Sequence, residues 1–239
     1  MDVLPPTWTR TIAGVFVVLL LNAATLAQEP NPAAVIRLVD AAVAARFENI
    51  LGFTDVEHYA VYRGDELHPV AEMTVKDTYK KGVGKSYTIL SESGSSILLH
   101  FGLKPLLDNE QTINQSGNVE KSWFNSANYN MKLNPAPVQK LNGRSCFALD
   151  VKPNEEAPNL IIGTIWVDAQ DGTLAQIDGV ASKNPSAFSG TTHMMRQYTN
   201  ISGFSMAIHA RAESDSALFG RTVVTIDYSD YKLDTKSRK

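Results

Sequence analysis

Most of this chain alternates between apolar and polar residues in short segments, and no other feature constrains its fold as strongly. Alternation with a period of two is typical of β-strands. Turn residues such as Asn142-Gly143 and Asp171-Gly172 separate the segments, and connections this short join antiparallel neighbours. The pattern predicts about ten or eleven antiparallel strands. They cover residues 57–66, 72–79, 85–91, 96–101, 129–133, 145–151, 160–168, 174–180, 193–201, 205–212 and 222–231.

Helical periodicity marks one long segment before the strands and a second region among them. Asn31-Pro32 is a typical helix start, and apolar residues then recur at spacings of three and four as far as Ile50. This predicts a helix over 32–51 that ends at Gly52. Residues 104–127 lack alternation and predict one or two short helices, split near Gly117. The fold class is therefore α+β, a strongly curved antiparallel sheet covered by helices.

The N-terminus has the pattern of a targeting segment. One arginine precedes ten apolar residues, 12–21, and small residues lie before Gln28. This run is too short to span a membrane and is typical of a signal peptide. We predict a signal peptide at 1–27 and one mature domain at 28–239, exported to the periplasm or secreted. The alternative is an uncleaved N-terminal anchor.

Charge and motif content exclude several functional classes. Lys and Arg number 22 against 25 Asp and Glu, a net charge of −3, which argues against a nucleic-acid partner. The single cysteine, Cys146, lies in an apolar alternating run, which favours a buried side chain over a nucleophile. Gly84-Lys85-Ser86 matches half of a phosphate-binding loop, but Tyr79 stands where the loop needs glycine. No catalytic, cofactor or metal motif is present, so we expect neither an enzyme nor a resident cofactor or metal.

Several predicted strands are apolar on alternate residues and could line a lipid cavity. A curved sheet with such a face either packs on its helices or leaves an apolar cavity. The sequence alone favours the packed core and leaves the cavity open as the alternative. The candidate lipid-binding residues are Ile97, Leu99, Phe101, Phe147, Leu149, Ile162, Trp166, Phe204, Met206 and Ile208.

The chain from about residue 97 to 231 resembles exported bacterial proteins of the outer-membrane lipoprotein-sorting, or LolA-like, superfamily. The run Gly163 to Gly172, a strand leading to a turn, is the most recognisable of the matching segments. The resemblance rests on the order of segments 109–114, 118–121, 128–133, 141–149, 163–172, 219–222 and 226–231. It implies a half-open β-barrel covered by helices. The best-known members carry lipoprotein acyl chains across the periplasm, and a related branch senses envelope stress by binding lipids or proteins.

This resemblance implies a non-enzymatic carrier or sensor that binds an acyl lipid or lipoprotein, with peripheral membrane contact. Helix 32–51 or the helical region 104–127 would act as its lid. The alternative is an envelope interaction module, whose barrel is filled and whose sheet edge binds a protein partner. A hydrolase acting on an envelope substrate is a third hypothesis, and it requires histidines and carboxylates clustered in space.

Overall fold

A computed structural model describes residues 30–135, 138–183, 191–216 and 220–236. The predicted signal peptide, 1–27, lies outside the described residues. In those ranges no helix combines the length and the apolar character needed to cross a membrane.

The first described element is helix α1, Pro32–Asn49. The Asn31 side chain accepts hydrogen bonds from the backbone of Ala33 and Ala34, which caps the helix as the sequence predicts. The predicted end at Gly52 is wrong, because Ile50 already pairs with a strand. Gly52 lies inside that strand, where a Cβ atom would come 2.9 Å from the Tyr79 carbonyl oxygen.

Eleven antiparallel strands form a single sheet in the described ranges. The spatial order is β3-β2-β1-β11-β10-β9-β8-β7-β6-β4, and β5 also pairs with β6. The first strand begins at Ile50, earlier than predicted, and the short β5 was not predicted. The strands are β1 (Ile50–Arg63), β2 (Ala71–Lys80), β3 (Gly84–Gly94), β4 (Tyr129–Leu133), β5 (Gln139–Leu141), β6 (Arg144–Pro153), β7 (Ile161–Asp168), β8 (Leu174–Ala181), β9 (Thr192–Ile201), β10 (Phe204–Ser216) and β11 (Gly220–Thr235).

A helical segment connects β3 to β4, the two ends of the sheet. It consists of α2 (Ser96–Leu98), a π-helical turn (Leu99–Leu103) and α3 (Lys104–Ile113), followed by a 3-10 turn (Val119–Ser122). We call residues 96–113 the insert. The helices expected in 104–127 are confirmed, but the strand predicted at 96–101 is wrong. The insert is helical there because this conformation buries Leu99, Leu103 and Leu107, one turn apart, against the sheet.

The sheet is open, since β3 and β4 do not pair with each other. Helix α1 and the insert both pack on one face, which we call the inner face. The α+β class and the helix-covered, half-open sheet predicted from the sequence are confirmed. The connection between β3 and β4, residues 95–128, links these two edges of the sheet.

One turn between strands packs directly on α1 and yields a stability prediction. Gly172 has φ of 72°, and a Cβ atom there would come 2.5 Å from the carbonyl group of Leu38. We expect Gly172→Ala to lower the free energy of unfolding by about 2–4 kcal/mol, because strain and a backbone clash add together. The control is Gly143→Ala, which has a similar φ of 78° but no atom within 4 Å. It should cost about 1 kcal/mol. Equal losses in urea denaturation would contradict the contact with α1.

Candidate ligand-binding hollow on the inner face

Two apolar clusters cover opposite ends of the inner face. In the first, the α1 cluster, Val35 and Val39 pack on strands β4 and β6–β8. In the second, the insert cluster, Leu99, Leu103 and Leu107 pack on strands β1, β2, β10 and β11. Each helical element therefore covers its own part of the sheet. The middle of the inner face lies between the two clusters.

A row of directly opposed residues crosses the inner face. Its middle member is charged, whereas the others are not. The register places Ile177 beside Arg196, Arg196 beside Ala210, and Ala210 beside Ile226. Directly opposed residues on neighbouring strands point to the same face. From β6 to β2 the row reads Leu149, Ile165, Ile177, Arg196, Ala210, Ile226, Tyr59 and Met73. A single cation thus interrupts an otherwise apolar or aromatic row between the two clusters.

A second guanidinium reaches this region from the last turn of α1. Arg46 Nε donates to the Ser205 carbonyl oxygen at 3.3 Å, and Nη2 lies 3.7 Å from Met206 Sδ. Solvent reaches the side chain, yet enclosure by protein lowers the pKa of Arg46. The guanidinium is exposed to solvent where the end of α1 approaches β10. We call the surface between the end of α1 and strands β9–β11 the hollow.

Aromatic residues line the hollow beside Arg46. Phe53 stacks on Tyr79 with ring centroids 5.1 Å apart, and Tyr231 lies 6.1 Å from Phe53. The Tyr231 hydroxyl donates to the Ala207 carbonyl oxygen at 2.8 Å. Tyr79, Tyr198 and Tyr231 are all close enough to affect the pKa of Arg46. The hollow therefore offers ring faces for apolar groups and hydroxyls for polar ones.

An ionic cluster lies under the insert, next to the hollow. The Lys85 ammonium lies 2.8 Å from Glu57 Oε1 and 2.8 Å from Glu110 Oε2, and it also pairs with Asp77. The Tyr59 hydroxyl donates to Glu57. Strands β1, β2 and β3 supply all of these groups except Glu110, which comes from the insert. The cluster therefore ties the insert to the sheet.

Burial controls the protonation of this cluster. It raises the pKa of Glu57 to about 8, although Lys85 opposes the shift. Burial and the charge of Glu57 likewise raise the pKa of Asp55, which faces Asp77 across the strands, to about 7. Burial also disfavours the charge of Lys85, but its three carboxylate neighbours raise the pKa well above the ordinary value. Near neutral pH, part of the cluster is therefore protonated.

Asp55, Glu57 and Asp77 could in principle hold a cation. Each offers a carboxylate oxygen, and these three oxygens lie within 4.8 Å of one another. Oδ1 of Asp55 and Oδ1 of Asp77 are buried and accept no hydrogen bond. However, the Lys85 ammonium already occupies the space between Glu57 and Asp77. The cluster is thus neutralised by a lysine and by protons.

The sequence interpretation did not single out the two arginines or the ionic cluster. Asp55 was missed because the first strand was predicted to begin only at residue 57. One signal was present: Asp77 shares a strand face with Met73 and Val75, so an acid continues an apolar row. Arg46 lies one residue before Phe47 on the predicted helix, outside its apolar stripe.

The structure separates the ten candidate lipid-binding residues into several environments. Leu149 is buried in the α1 cluster with Phe147 packed against it, and Leu99 is buried in the insert cluster. Met206 is buried beside Arg46, with Phe204 and Ile208 half-buried on the same strand. These six residues belong to the inner clusters or to the strand next to Arg46.

The other four candidates lie elsewhere. Ile97 and Phe101 are 66% and 80% exposed on the insert, one helical turn apart. Ile162 and Trp166 alternate with the β7 residues of the α1 cluster, which places them on the outer face. Trp166 Nε1 donates to Gln139 Oε1 at 3.0 Å. The ten residues therefore do not form one continuous lining.

Comparisons with known proteins give structural neighbours only. No protein-family model matches the chain, and no curated protein matches it significantly. A DUF1329 family protein from Desulfovibrio piger ATCC 29098 shares its fold, with a TM-score of 0.50, 14% identity and coverage of 87% of this chain and 96% of that chain. At this identity the likeness concerns the fold alone.

Two further solved structures are similar at lower TM-scores. A LolA superfamily protein from Nitrosomonas europaea has a TM-score of 0.45 and 12% identity. A protein domain assigned to outer membrane lipoprotein sorting, from Vibrio parahaemolyticus, has a TM-score of 0.48 and 13% identity. Each match covers 87% of this chain and 96% of the other chain.

Proposed function

We propose that this protein is an exported, non-enzymatic carrier or sensor that holds the acyl chains of a lipid or lipoprotein on the inner face of its half-open sheet. Residues 1–27 would direct export and be removed, so that the mature domain, 28–239, acts in the periplasm or outside the cell. Binding would be passive. Each methylene group buried from water contributes roughly 0.8 kcal/mol.

The hollow between the two apolar clusters is the observation that carries this proposal. It lies on a sheet whose inner face is covered by α1 and the insert, and it remains open to solvent at Arg46. A separate cleft of about 110 Å³ lies between α1 and the loop that precedes β4, lined in part by Val43, Ala44 and Trp123. An acyl chain would enlarge the hollow by displacing the insert from strands β1, β2, β10 and β11. Leu99, Phe147, Leu149, Phe204, Met206 and Ile208 are the candidate residues nearest to such a path.

The test is mass spectrometry of the mature 28–239 chain purified from its native host, under native and then denaturing conditions. We expect an acyl lipid or acylated peptide bound at a near-stoichiometric level, and uptake of a fluorescent fatty-acid probe once the ligand is removed. A mass without ligand, together with no uptake of the probe, would overturn the proposal.

The exposed pair Ile97 and Phe101 predicts peripheral membrane contact by the insert. Two large apolar side chains one turn apart form a patch that gains roughly 1.5–3 kcal/mol per residue on full burial. We expect Ile97→Ser with Phe101→Ser to reduce binding to vesicles of anionic phospholipid about tenfold or more in flotation assays. Leu67→Ser is the matched control, because Leu67 is 89% exposed but lies on the β1–β2 connection. If both proteins bind vesicles equally, the insert is not the contact surface.

A protein-binding role at a sheet edge is the second candidate function, and strand β3 favours it. Within the described strands β3 pairs only with β2, and Ser86, Thr88 and Leu90 are exposed along it without a charge. Uncharged edges of this kind can accept a further strand. Thr88→Lys should abolish capture of an envelope protein by cross-linking in the native host, and it should leave lipid uptake unchanged. Lipid uptake together with no cross-linked partner would exclude this alternative.

A further inference from the structure

Carboxylates and imidazoles alternate across four neighbouring strands on the outer face of the sheet. Glu72 lies on β2, His58 on β1, Asp227 on β11 and His209 on β10. The register places Asp227 directly opposite both His58 and His209, and Glu72 lies diagonally opposite His58. The residues that alternate with these four belong to the insert cluster. All four side chains therefore project from the face that α1 and the insert leave uncovered.

Two close nitrogen–oxygen contacts already exist in this group. His209 Nδ1 lies 2.7 Å from Asp227 Oδ1, and His58 Nε2 lies 3.3 Å from Glu72 Oε1. Two ligand atoms that each lie about 2.0–2.2 Å from one ion stand roughly 3–3.5 Å apart. The spacing of each pair is therefore close to that of two ligands that share an ion.

The strand spacing brings the two pairs within reach of one ion. Cβ atoms of directly opposed residues lie about 4.5–5.5 Å apart, so Asp227 stands between two imidazoles at that spacing. The His58 side chain turns toward Glu72 here, and coordination by all four groups requires it to turn toward Asp227. The four side chains are between 31% and 62% exposed, and exposed side chains change rotamer in picoseconds to nanoseconds. The paired backbone does not have to move.

The ligand types and the charge suit a divalent transition-metal ion. Imidazole nitrogens and carboxylate oxygens are both zinc ligands, and two carboxylates with two neutral imidazoles balance a charge of +2. Among the described residues, neither Glu72 nor Asp227 forms an ion pair with a lysine or an arginine. This distinguishes the outer group from the ionic cluster under the insert, where Lys85 occupies the centre.

We propose that His58, Glu72, His209 and Asp227 bind one divalent transition-metal ion, such as Zn²⁺, on the outer face of the sheet. The ion links strands β1 and β2 to strands β10 and β11, which come from opposite ends of the chain. Because the four ligands meet only in the folded sheet, binding of the ion stabilises the fold. The site is independent of the proposed acyl-chain binding, which uses the inner face.

Calorimetric titration of the purified, untagged protein with zinc chloride tests the proposal. We expect one saturable site, and we expect His58→Gln and His209→Gln each to weaken Zn²⁺ binding about tenfold or more. His193→Gln is the matched control. His193 also pairs with a carboxylate on the outer face, Asp178 at 2.8 Å, but no second imidazole lies in its row. This substitution should leave the affinity unchanged.

Two further measurements identify the ligands. A free Zn²⁺ concentration of 100 times Kd should raise the midpoint of thermal unfolding by about 5–10 °C in the parent chain and in His193→Gln, but not in His58→Gln or His209→Gln. In the parent chain labelled with ¹⁵N-histidine, Zn²⁺ should shift the imidazole signals of His58 and His209 and leave those of the other three histidines in place. This measurement needs no variant, so it stands even if a substitution disturbs folding.

The outcomes separate this inference from the proposed function. The absence of saturable Zn²⁺ binding, binding that neither His58→Gln nor His209→Gln weakens, or an equal loss in His193→Gln would overturn the metal site and leave the acyl carrier intact. Zn²⁺ binding with the expected losses, in a protein that takes up no fatty-acid probe, would support the metal site and overturn the acyl carrier.

Discussion

Replacing Lys85 with methionine is expected to lower the free energy of unfolding by about 3–5 kcal/mol at pH 8. The substitution removes the cation that pairs with Glu57, Asp77 and Glu110 and leaves these buried acids together. Each must then either stay ionised without a partner or take up a proton. Because Glu110 belongs to the insert, the packing of the insert on the sheet should weaken before the rest of the fold. Hydrogen exchange of residues 96–113 would detect this.

The pH dependence of this loss identifies its cause. At pH 5 the stranded acids can be protonated at little cost, so the loss from Lys85→Met should be smaller than at pH 8. Lys104→Met is the control, since Lys104 pairs with Glu92 at 3.1 Å on the surface. It should cost less than about 1 kcal/mol at either pH. A loss from Lys85→Met as small as that of the control would show that the cluster does not hold the insert.

Asp55→Asn is expected to make the protein more stable at pH 8 and less sensitive to pH. The pKa of Asp55 is about 7 in the folded chain and 3.8 as its ordinary value. Between these values the folded chain keeps a proton that the unfolded chain releases, so stability falls as the pH rises from about 4 to about 7. This effect amounts to about 2–4 kcal/mol for a shift of this size. Asparagine carries no charge, so the substitution removes the contribution of Asp55 to the pH dependence of the free energy of unfolding.

Denaturation in urea at pH 4.5, 6 and 8 measures the effect, with Asp234→Asn, an exposed acid on β11, as the control. The parent chain and the control should both lose stability as the pH rises, and Asp55→Asn should lose less. Glu57, whose pKa is about 8, keeps part of the slope in every variant. A parent chain that becomes more stable from pH 4.5 to pH 8 would show that Asp55 is ionised when folded.

The periodicity of apolar residues was sufficient to predict the elements that bury one apolar side against a single partner. Helix α1 follows from the spacing of Ile36, Val39 and Val43, because a helix on a sheet needs only one apolar stripe. Most strands follow from alternation for the same reason. Periodicity misled at 96–101, where Ile97, Leu99 and Phe101 alternate like a strand. There Leu99 shares a helical stripe with Leu103 and Leu107, and the sheet covers that stripe.

The candidate site could be predicted only in part, because it depends on strand register. Alternation shows that Ile165 and Trp166 face opposite sides, but it does not show which side the helices cover. The structure places Ile165 in the α1 cluster and leaves Trp166 on the outer face. The approach of Arg46 to β10 joins residues 159 positions apart, and no local pattern contains that information.

The sequence by itself determined the α+β class, the antiparallel order of short-linked strands, the first helix and the helical interruption before residue 129. These follow from local periodicity, turns and chain length, which act over a few residues. Only the tertiary structure decided that the connection between β3 and β4 links the two sheet edges, that Lys85 meets three acids, and that Arg46 contacts β10. The reason is that burial and Coulomb interactions depend on distances between groups far apart in the chain, and packing alone sets those distances.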